Sequence, residues 1–166
     1  FFEHPGVDLR GLVRATLRNV KDWDFTQGAS TLTMQLARNT YEIREKSLNR
    51  KLLEIALTLR IENRYSKNEI LTHYLNRIYF GAGCHGIDEA SRTYFAKPVN
   101  ELNQAQCATL VGIIRGPHVF SPFRNPDGAR DQQEEVLNRM VETGFIDADD
   151  QREILALPLR LVPDEQ

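Results

Sequence analysis

The sequence predicts an all-α fold. Apolar residues recur at helical spacing along almost the whole chain of 166 residues, as in "VDLRGLVRATLRNV" and in the longer segment "EKSLNRKLLEIALTLRIENRY". No run of strand length alternates convincingly between apolar and polar residues, and no internal repeat appears at a fixed period. We therefore expect one non-repeating helical domain over residues 1–166, in which 147–166 form a C-terminal extension or the start of a linker.

Local signals predict where several helices begin and end. Ser66 with Glu69 three residues later has the pattern of a capping box. Asp147 is predicted to cap a last short helix, and Gly144 to end the helix "GARDQQEEVLNRMVET". The string "GAGCHG" is predicted to be a glycine-rich loop, and it lacks the Lys-Ser/Thr ending of a phosphate-binding P-loop.

Composition excludes several classes of protein. The formal net charge of -2 gives no overall attraction to nucleic acid, and no apolar stretch approaches the ~20 residues of a membrane-spanning helix.

Cys84 and Cys107 are too few for a disulfide framework. Cys107 lies in the apolar run "CATLVGII" and is predicted to be a buried core thiol. The histidines share no spacing with other metal ligands, so no zinc site is expected; they are His4, His73, His85 and His118.

A carboxylate among basic residues is the first candidate for chemistry. Glu54 lies inside a strongly helical segment, and Arg50 precedes it by one helical turn. The simplest interpretation is an exposed ion pair on a solvated helix face. The alternative is a carboxylate held beside cations at a site for an anion. The run from Arg38 to Lys67 leans basic, and a local basic patch can bind an anion although the net charge is near zero.

The segment "GASTLTMQLARN", residues 28–39, carries more polar side chains than a core helix requires. These side chains are Ser30, Thr31, Gln35, Arg38 and Asn39. Ser30 is predicted to lie at the N-cap of a helix. A helix N-terminus with free amides and hydroxyls is a natural anion site, although capping alone would also explain Ser30.

Five blocks in order resemble the transglycosylase domain of bifunctional penicillin-binding proteins and monofunctional peptidoglycan glycosyltransferases, glycosyltransferase family 51. "FFEHPGVDLRG" resembles the end of Glu-Asp-x-x-Phe-x-x-His-x-Gly, and "GASTLTMQLARN" resembles Gly-x-Ser-Thr-x-x-Gln-Gln-x-x-x-Asn. "RKLLEIALTLRIE" resembles Arg-Lys-x-x-Glu-x-x-x-Ala-x-x-x-Glu. "SKNEILTHYLNRIYFG" and "HGIDEASRTYFAK" resemble the fourth and fifth blocks. The resemblance extends to about Ile146.

The resemblance implies a two-lobed all-α fold, with a lysozyme-like larger lobe and a smaller membrane-proximal lobe. It implies an enzyme of bacterial cell wall synthesis that polymerises lipid II into glycan strands and releases undecaprenyl pyrophosphate. Its expected partners are lipid II, the growing strand and the membrane surface, with no nucleic acid. Its expected location is the extracytoplasmic or periplasmic face of the bacterial inner (plasma) membrane. Whether a transpeptidase domain accompanies it in the full-length chain stays open.

The resemblance also assigns site residues. Glu54 matches the second essential glutamate, which stabilises the donor pyrophosphate through neighbouring cations or a divalent metal such as Mg²⁺ or Mn²⁺. The family places basic groups around the donor at positions that correspond to Arg14, Arg38, Lys46 and Arg50. The polar second block that lines the cleft corresponds to Ser30, Thr31, Gln35 and Asn39.

Two departures from the family pattern concern the site. By the spacing of the first motif, the general-base glutamate would precede Phe1 by four positions, so this chain is expected to lack it. Met34 stands where the motif has its first glutamine, which removes a polar side chain from that position. The apolar residues of the 20–28 loop, Val20, Trp23 and Phe25, are expected to contact lipid.

Two other classes of function remain as alternatives. One is a glycan-cleaving enzyme on a lysozyme-like fold, which would use a pair of carboxyl groups near the sugar bond. The basic residues around Glu54 favour a phosphate leaving group over that chemistry. The other is a non-catalytic helical module that binds lipid II.

Overall fold

A computed structural model gives the structure of the protein and describes residues 1–2, 4–7, 30–41 and 48–163. The chain forms two compact units, Phe1–Arg77 and Ile78–Gln166. Helices dominate the described residues of both units, which confirms the all-α class. Among these residues, no helix combines the length and the apolar character needed to cross a bilayer.

Three described helices build the first unit: α1 (Leu32–Thr40), α2 (Leu48–Arg64) and α3 (Lys67–Leu75). Helix α1 packs against both α2 and α3. Its buried side chains include Leu36 and Ala37, and α3 contributes the buried side chains of Ile70 and Tyr74. The core of this unit therefore lies where α1 meets the other two helices.

Helix α2 directs polar side chains inward and leucines outward. Glu54 and Thr58 are 1% and 0% exposed, whereas Leu52 and Leu59 are 67% and 45% exposed. Residues four apart lie on the same face of a helix, so Glu54 and Thr58 share one buried face. The interpretation of Glu54 as a residue on a solvated surface is therefore wrong.

The predicted capping box lies at the N-terminus of α3, directly after α2. The Ser66 side chain accepts a hydrogen bond from the Glu69 N–H, and the Glu69 carboxylate accepts one from the Ser66 N–H at 2.8 Å. These bonds satisfy two amides that the first turn of a helix leaves without intrahelical partners. The same Ser66 donors lower the pKa of Glu69 because they stabilise its charged form.

The second unit begins with a short hairpin. Strand β1 (Tyr79–Gly81) pairs antiparallel with β2 (Cys84–His85). The expectation of no strand is corrected here, because strands of three and two residues are too short to show an alternating pattern. Gly81, Ala82 and Gly83 reverse the chain with φ values of 88°, 49° and 79°. Glycine adopts this left-handed region without a steric cost.

Helices complete the second unit: α4 (Ile87–Phe95), a 3₁₀ turn (Val99–Glu101), α5 (Gln104–Ile113), α6 (Pro126–Glu142) and α7 (Ala148–Ala156). A core cluster joins α5, α6 and α7 through the side chains of Ala105, Ala108, Leu137 and Ile154. Asp147 caps α7 as predicted. Gly144, with φ of 74°, follows the end of α6.

The prediction that Cys107 is a buried core thiol is wrong. Cys107 is exposed, and Val111, one turn further along α5, is 49% exposed. Helix α5 is apolar nearly all round, so its sequence does not indicate which face will pack against a neighbour. Cys84 is buried, and desolvation raises the pKa of its thiol. Both cysteines are free thiols.

We predict that Ser66→Ala lowers the free energy of unfolding by about 1 kcal/mol, because it removes the N-cap of α3. Urea unfolding followed by far-UV circular dichroism measures this change. Asn68→Ala is the control, since Asn68 is exposed on the same helix and its loss should change stability by less than about 0.5 kcal/mol. Equal effects of the two substitutions would contradict the capping role.

Candidate active site

The N-terminus of α1 is capped by Thr31, one residue later than the sequence predicts. Thr31 Oγ1 accepts a hydrogen bond from the Met34 N–H at 3.2 Å and donates one to the Gly6 carbonyl at 2.5 Å. Because Thr31 performs the capping, the hydroxyl of Ser30 is available to another partner.

That partner is Lys51, which links Ser30 to Glu54. The Lys51 ammonium donates hydrogen bonds to Ser30 Oγ at 3.0 Å and to Glu54 Oε2 at 3.1 Å. The side chain of Lys51 is 33% exposed, whereas that of Glu54 is 1% exposed. The Ser30–Lys51–Glu54 group therefore runs from the start of α1 to a carboxylate inside the unit, with its cation reachable from solvent.

Burial explains why the carboxylate and the ammonium stay together. Removing a carboxylate from water costs several kcal/mol, and a nearby opposite charge with good hydrogen bonding offsets that cost. An ammonium has three N–H donors, of which two are used by Ser30 and Glu54. The third can donate to an anion, so the group can act as a fixed cationic site.

Gln35 extends the polar surface of α1 toward α3. Its Nε2 donates to the Ser30 carbonyl at 3.5 Å, and its Oε1 accepts a hydrogen bond from the Tyr74 hydroxyl at 3.1 Å. Burial raises the pKa of Tyr74, and the Arg38 guanidinium partly opposes this effect. Tyr74 is therefore a neutral donor that holds Gln35, and Arg38 lies close enough to act on it electrostatically.

A second carboxylate of the first unit, that of the half-buried Glu62, was not predicted from the sequence as a site residue. Glu62 Oε1 accepts a hydrogen bond from Thr33 Oγ1 at 2.5 Å, and Glu62 Oε2 lies 2.7 Å from the Lys67 ammonium. Lys67 also donates to the His4 carbonyl at 2.7 Å. The recurrence of polar residues at 54, 58 and 62 on α2 was the available signal, since residues four apart share a helix face.

The remaining predicted site residues divide into two groups. Arg38 is half-buried and Asn39 is exposed, and both lie in the last turn of α1. The second group lies outside the described residues and consists of Arg14, Lys46 and the side chain of Arg50. The loop with Val20, Trp23 and Phe25 also lies outside them.

Met34 belongs to the core and not to a polar wall. Its side chain is 3% exposed, so this methionine fills apolar space where the resemblance has a glutamine. Methionine suits such a position because its flexible thioether adapts to irregular gaps. The departure at Met34 is therefore a change in packing.

The residues of this site do not form an evident metal centre. The described residues contain no group of three or more His, Cys, Asp or Glu side chains placed to hold a metal ion. The Lys51 ammonium also occupies one side of the Glu54 carboxylate. This donor set fits an ammonium better than a divalent ion.

Comparison with known proteins shows the family of the chain. A family model described as Transglycosylase matches residues 1–141. The chain is 45% identical over 161 residues to a putative transglycosylase of Cupriavidus necator, an alignment that covers 97% of this chain and 69% of that protein. It is 43% identical over 146 residues to penicillin-binding protein 4 of Bacillus subtilis, covering 88% of this chain and 23% of that protein.

A solved structure supports the fold. The crystal structure of penicillin-binding protein 1A from Haemophilus influenzae matches 81% of this chain and 17% of that chain, with a TM-score of 0.52 and 24% sequence identity. The chain therefore corresponds to a small part of the penicillin-binding proteins that it resembles.

The family model and these relatives identify the chain as a glycosyltransferase domain of the kind found in class A penicillin-binding proteins. The chain belongs to the transglycosylase family. Its function is peptidoglycan glycosyl transfer in cell wall synthesis, which confirms the function and the enzyme class expected from the motifs.

We predict that Lys51→Met lowers the free energy of unfolding by about 1–3 kcal/mol, because it removes the ammonium beside a carboxylate that is 1% exposed. The partial exposure of Lys51 keeps this below the loss typical of a fully buried pair. The double variant Lys51→Met/Glu54→Gln should recover part of the loss. Chemical denaturation measures the free energy of unfolding of the wild type, the single variant and the double variant.

The control for this stability experiment is an exposed ion pair. Arg92 and Asp88 are 62% and 59% exposed, so Arg92→Met should cost less than about 1 kcal/mol. If Lys51→Met costs no more than Arg92→Met, Lys51 does not stabilise the buried carboxylate.

Proposed function

We propose that this domain polymerises lipid II into glycan strands and releases undecaprenyl pyrophosphate. The observation that carries the proposal is the Lys51 ammonium, which two hydrogen bonds hold at the surface of the first unit. A pyrophosphate leaving group develops negative charge as its bond to the sugar breaks. A positioned cation stabilises that charge more than it stabilises the substrate.

The proposed reaction forms one bond and breaks another at the anomeric carbon of the donor sugar. The 4-hydroxyl of the acceptor attacks this carbon, and the bond between the carbon and the pyrophosphate oxygen breaks. The electron pair of the broken bond stays on the pyrophosphate, and the hydroxyl proton passes to a base. Lys51 is proposed to bind the pyrophosphate, with Arg14, Arg38, Lys46 and Arg50 as further cations around the donor.

Glu54 is proposed to position Lys51 and not to accept the proton. A general base must reach the hydroxyl that it deprotonates, but Glu54 is 1% exposed and its Oε2 lies 3.1 Å from the ammonium. The first motif assigns the base to its own glutamate. Ser30 completes the positioning from the other side, and Gln35, Thr31 and Asn39 are proposed to form the neighbouring wall that contacts substrate.

The same geometry disfavours glycan cleavage by a pair of carboxyl groups. Glu54 lies 3.1 Å from the Lys51 ammonium, and Glu62 lies 2.7 Å from the Lys67 ammonium. Each carboxylate already binds a lysine ammonium, whereas a carboxyl pair for glycan cleavage must face the glycosidic bond. These two carboxylates therefore suit the placement of lysines and not the protonation of a glycosidic oxygen.

We predict that Glu54→Gln reduces polymerisation by the full-length protein by at least about 100-fold, because the amide no longer fixes the ammonium electrostatically. The measurement is the rate of glycan strand formation from labelled lipid II, with product length resolved on gels. Glu153→Gln changes an exposed glutamate of α7 and should leave the rate unchanged. Normal polymerisation by Glu54→Gln, with an unchanged unfolding curve, would contradict the assigned role.

The leucine face of α2 is the described surface that we propose contacts the membrane. Leu52, Leu53 and Leu59 are 67%, 49% and 45% exposed, and they lie on the same helix as Glu54. A contiguous exposed apolar patch often marks a site of membrane or protein interaction. A lipid-linked substrate requires the domain to work at the surface of the plasma membrane, on the extracytoplasmic face where peptidoglycan is assembled.

We predict that the double variant Leu52→Gln/Leu59→Gln weakens binding to anionic phospholipid vesicles by at least about tenfold, since each buried leucine contributes about 1.5–3 kcal/mol. Co-sedimentation with vesicles measures the bound fraction. The control variant Val119→Gln/Phe145→Gln removes two side chains that are 61% and 80% exposed in the second unit. Equal vesicle binding by the wild type and both variants would exclude the leucine face.

A further inference from the structure

The second unit contains a pocket of about 500 Å³, a volume within the range of small-molecule sites. None of the chemistry proposed for the first unit uses it. Six of its lining residues are Tyr79, Pro117, His118, Ser121, Phe123 and Arg124. The turn between β1 and β2 completes the lining with Ala82 and Gly83.

Close packing holds the walls of this pocket in place. A Cβ at Gly81 would lie 2.6 Å from the Pro117 carbonyl oxygen, so only glycine lets the hairpin approach the loop this closely. The buried Tyr94 donates a hydrogen bond to the Phe80 carbonyl at 3.0 Å, and its ring centroid lies 4.8 Å from that of Phe123. The hairpin and the 117–124 loop are thus fixed to the same buried aromatic residue.

The polar groups of the pocket are cationic or neutral. The Tyr79 ring contacts two imidazoles, with centroid distances of 5.0 Å to His85 and 5.1 Å to His118. Ser121 is 4% exposed and lines the cavity, and Arg124 supplies a guanidinium. The described residues that line it include no acid. This composition favours an anionic ligand.

We propose that this pocket binds the carboxylate of a peptide attached to the glycan substrate, an inference that rests on the proposed function for the identity of the ligand. The Arg124 guanidinium pairs with the carboxylate, and the hydroxyls of Tyr79 and Ser121 are donors for the peptide. Pro117 and Phe123 contact its apolar groups. Arginine suits this role because its planar N–H donors match both carboxylate oxygens.

The charge of the pocket favours a carboxylate over a phosphate. One guanidinium is the only side chain among the described lining residues that is charged at every physiological pH, which matches a monoanion. The lining also combines a proline and two aromatic rings with a few polar groups, as sites for organic ligands do. Inorganic phosphate offers nothing for these apolar walls to contact.

The proposed carboxylate site is tested by measuring ligand binding directly, without a catalytic reaction. The probe is N-acetylmuramyl-L-alanyl-D-isoglutamine, which carries one free carboxylate, and it is titrated into the protein by isothermal calorimetry. The same compound with this carboxylate converted to a carboxamide, and inorganic phosphate, are titrated in parallel. Imidazole NMR signals of His118 and His85 report whether the probe enters this pocket.

We expect the carboxamide to bind at least about tenfold more weakly than the carboxylate, and Arg124→Ala to cause a similar loss. His118→Ala provides a second variant at the exposed rim of the pocket. Arg139→Ala is the matched control, because Arg139 is 73% exposed on α6 and is not among the lining residues. Its affinity for the probe should equal that of the wild type.

Three results would overturn the inference: equal binding of the carboxylate and the carboxamide, unchanged binding by Arg124→Ala, or phosphate binding as tightly as the peptide. The proposed function is tested separately by lipid II polymerisation with the full-length protein. Polymerisation without probe binding refutes the pocket alone. Probe binding without any polymerisation refutes the proposed reaction and leaves the carboxylate site supported.

Discussion

The pairing of Glu54 with Lys51 is the interaction on which the first unit depends. Glu54 is 1% exposed, and an ionised carboxylate withdrawn from water is stable only beside compensating charge and hydrogen bonds. This requirement determines the orientation of α2, which directs Glu54 and Thr58 inward and leaves Leu52 and Leu59 exposed. The same requirement keeps the partly exposed Lys51 ammonium beside Glu54, where we propose that it binds an anion.

The hydroxyl side chains at the start of α1 form hydrogen bonds with the groups around them. Thr31 caps the helix, Ser30 accepts a hydrogen bond from Lys51, and Thr33 donates one to Glu62. Each hydroxyl thus meets a charged or backbone group, so none of the three side chains is withdrawn from water without a hydrogen bond. Met34 takes the opposite role, since it fills the core at 3% exposure. One short helix therefore serves the core and the site with different faces.

The second unit is organised differently, around a buried aromatic residue. Tyr94 donates a hydrogen bond to the Phe80 carbonyl and packs against Phe123 with the two rings tilted, so the short hairpin and the 117–124 loop have a common anchor. Three successive residues with positive φ, from Gly81 to Gly83, allow the turn that forms part of the pocket wall. Backbone conformations of this kind persist where the surrounding packing requires them. Here that packing includes the contact between Gly81 and the Pro117 carbonyl.

Local patterns in the chain were enough to predict the helical class, the family and several helix ends. The caps at Ser66 and Asp147 were predictable because a cap involves only neighbouring residues, and the ordered motifs identify the family without a structure. The burial of Glu54 and the exposure of Cys107 were decided by tertiary structure, although Lys51 and Glu54 are only three residues apart on one helix. Helical periodicity shows which residues share a face, but the neighbouring helix decides whether that face is buried. The pocket likewise arises from the 79–83 and 117–124 segments, which are distant in sequence, so no local pattern could predict it.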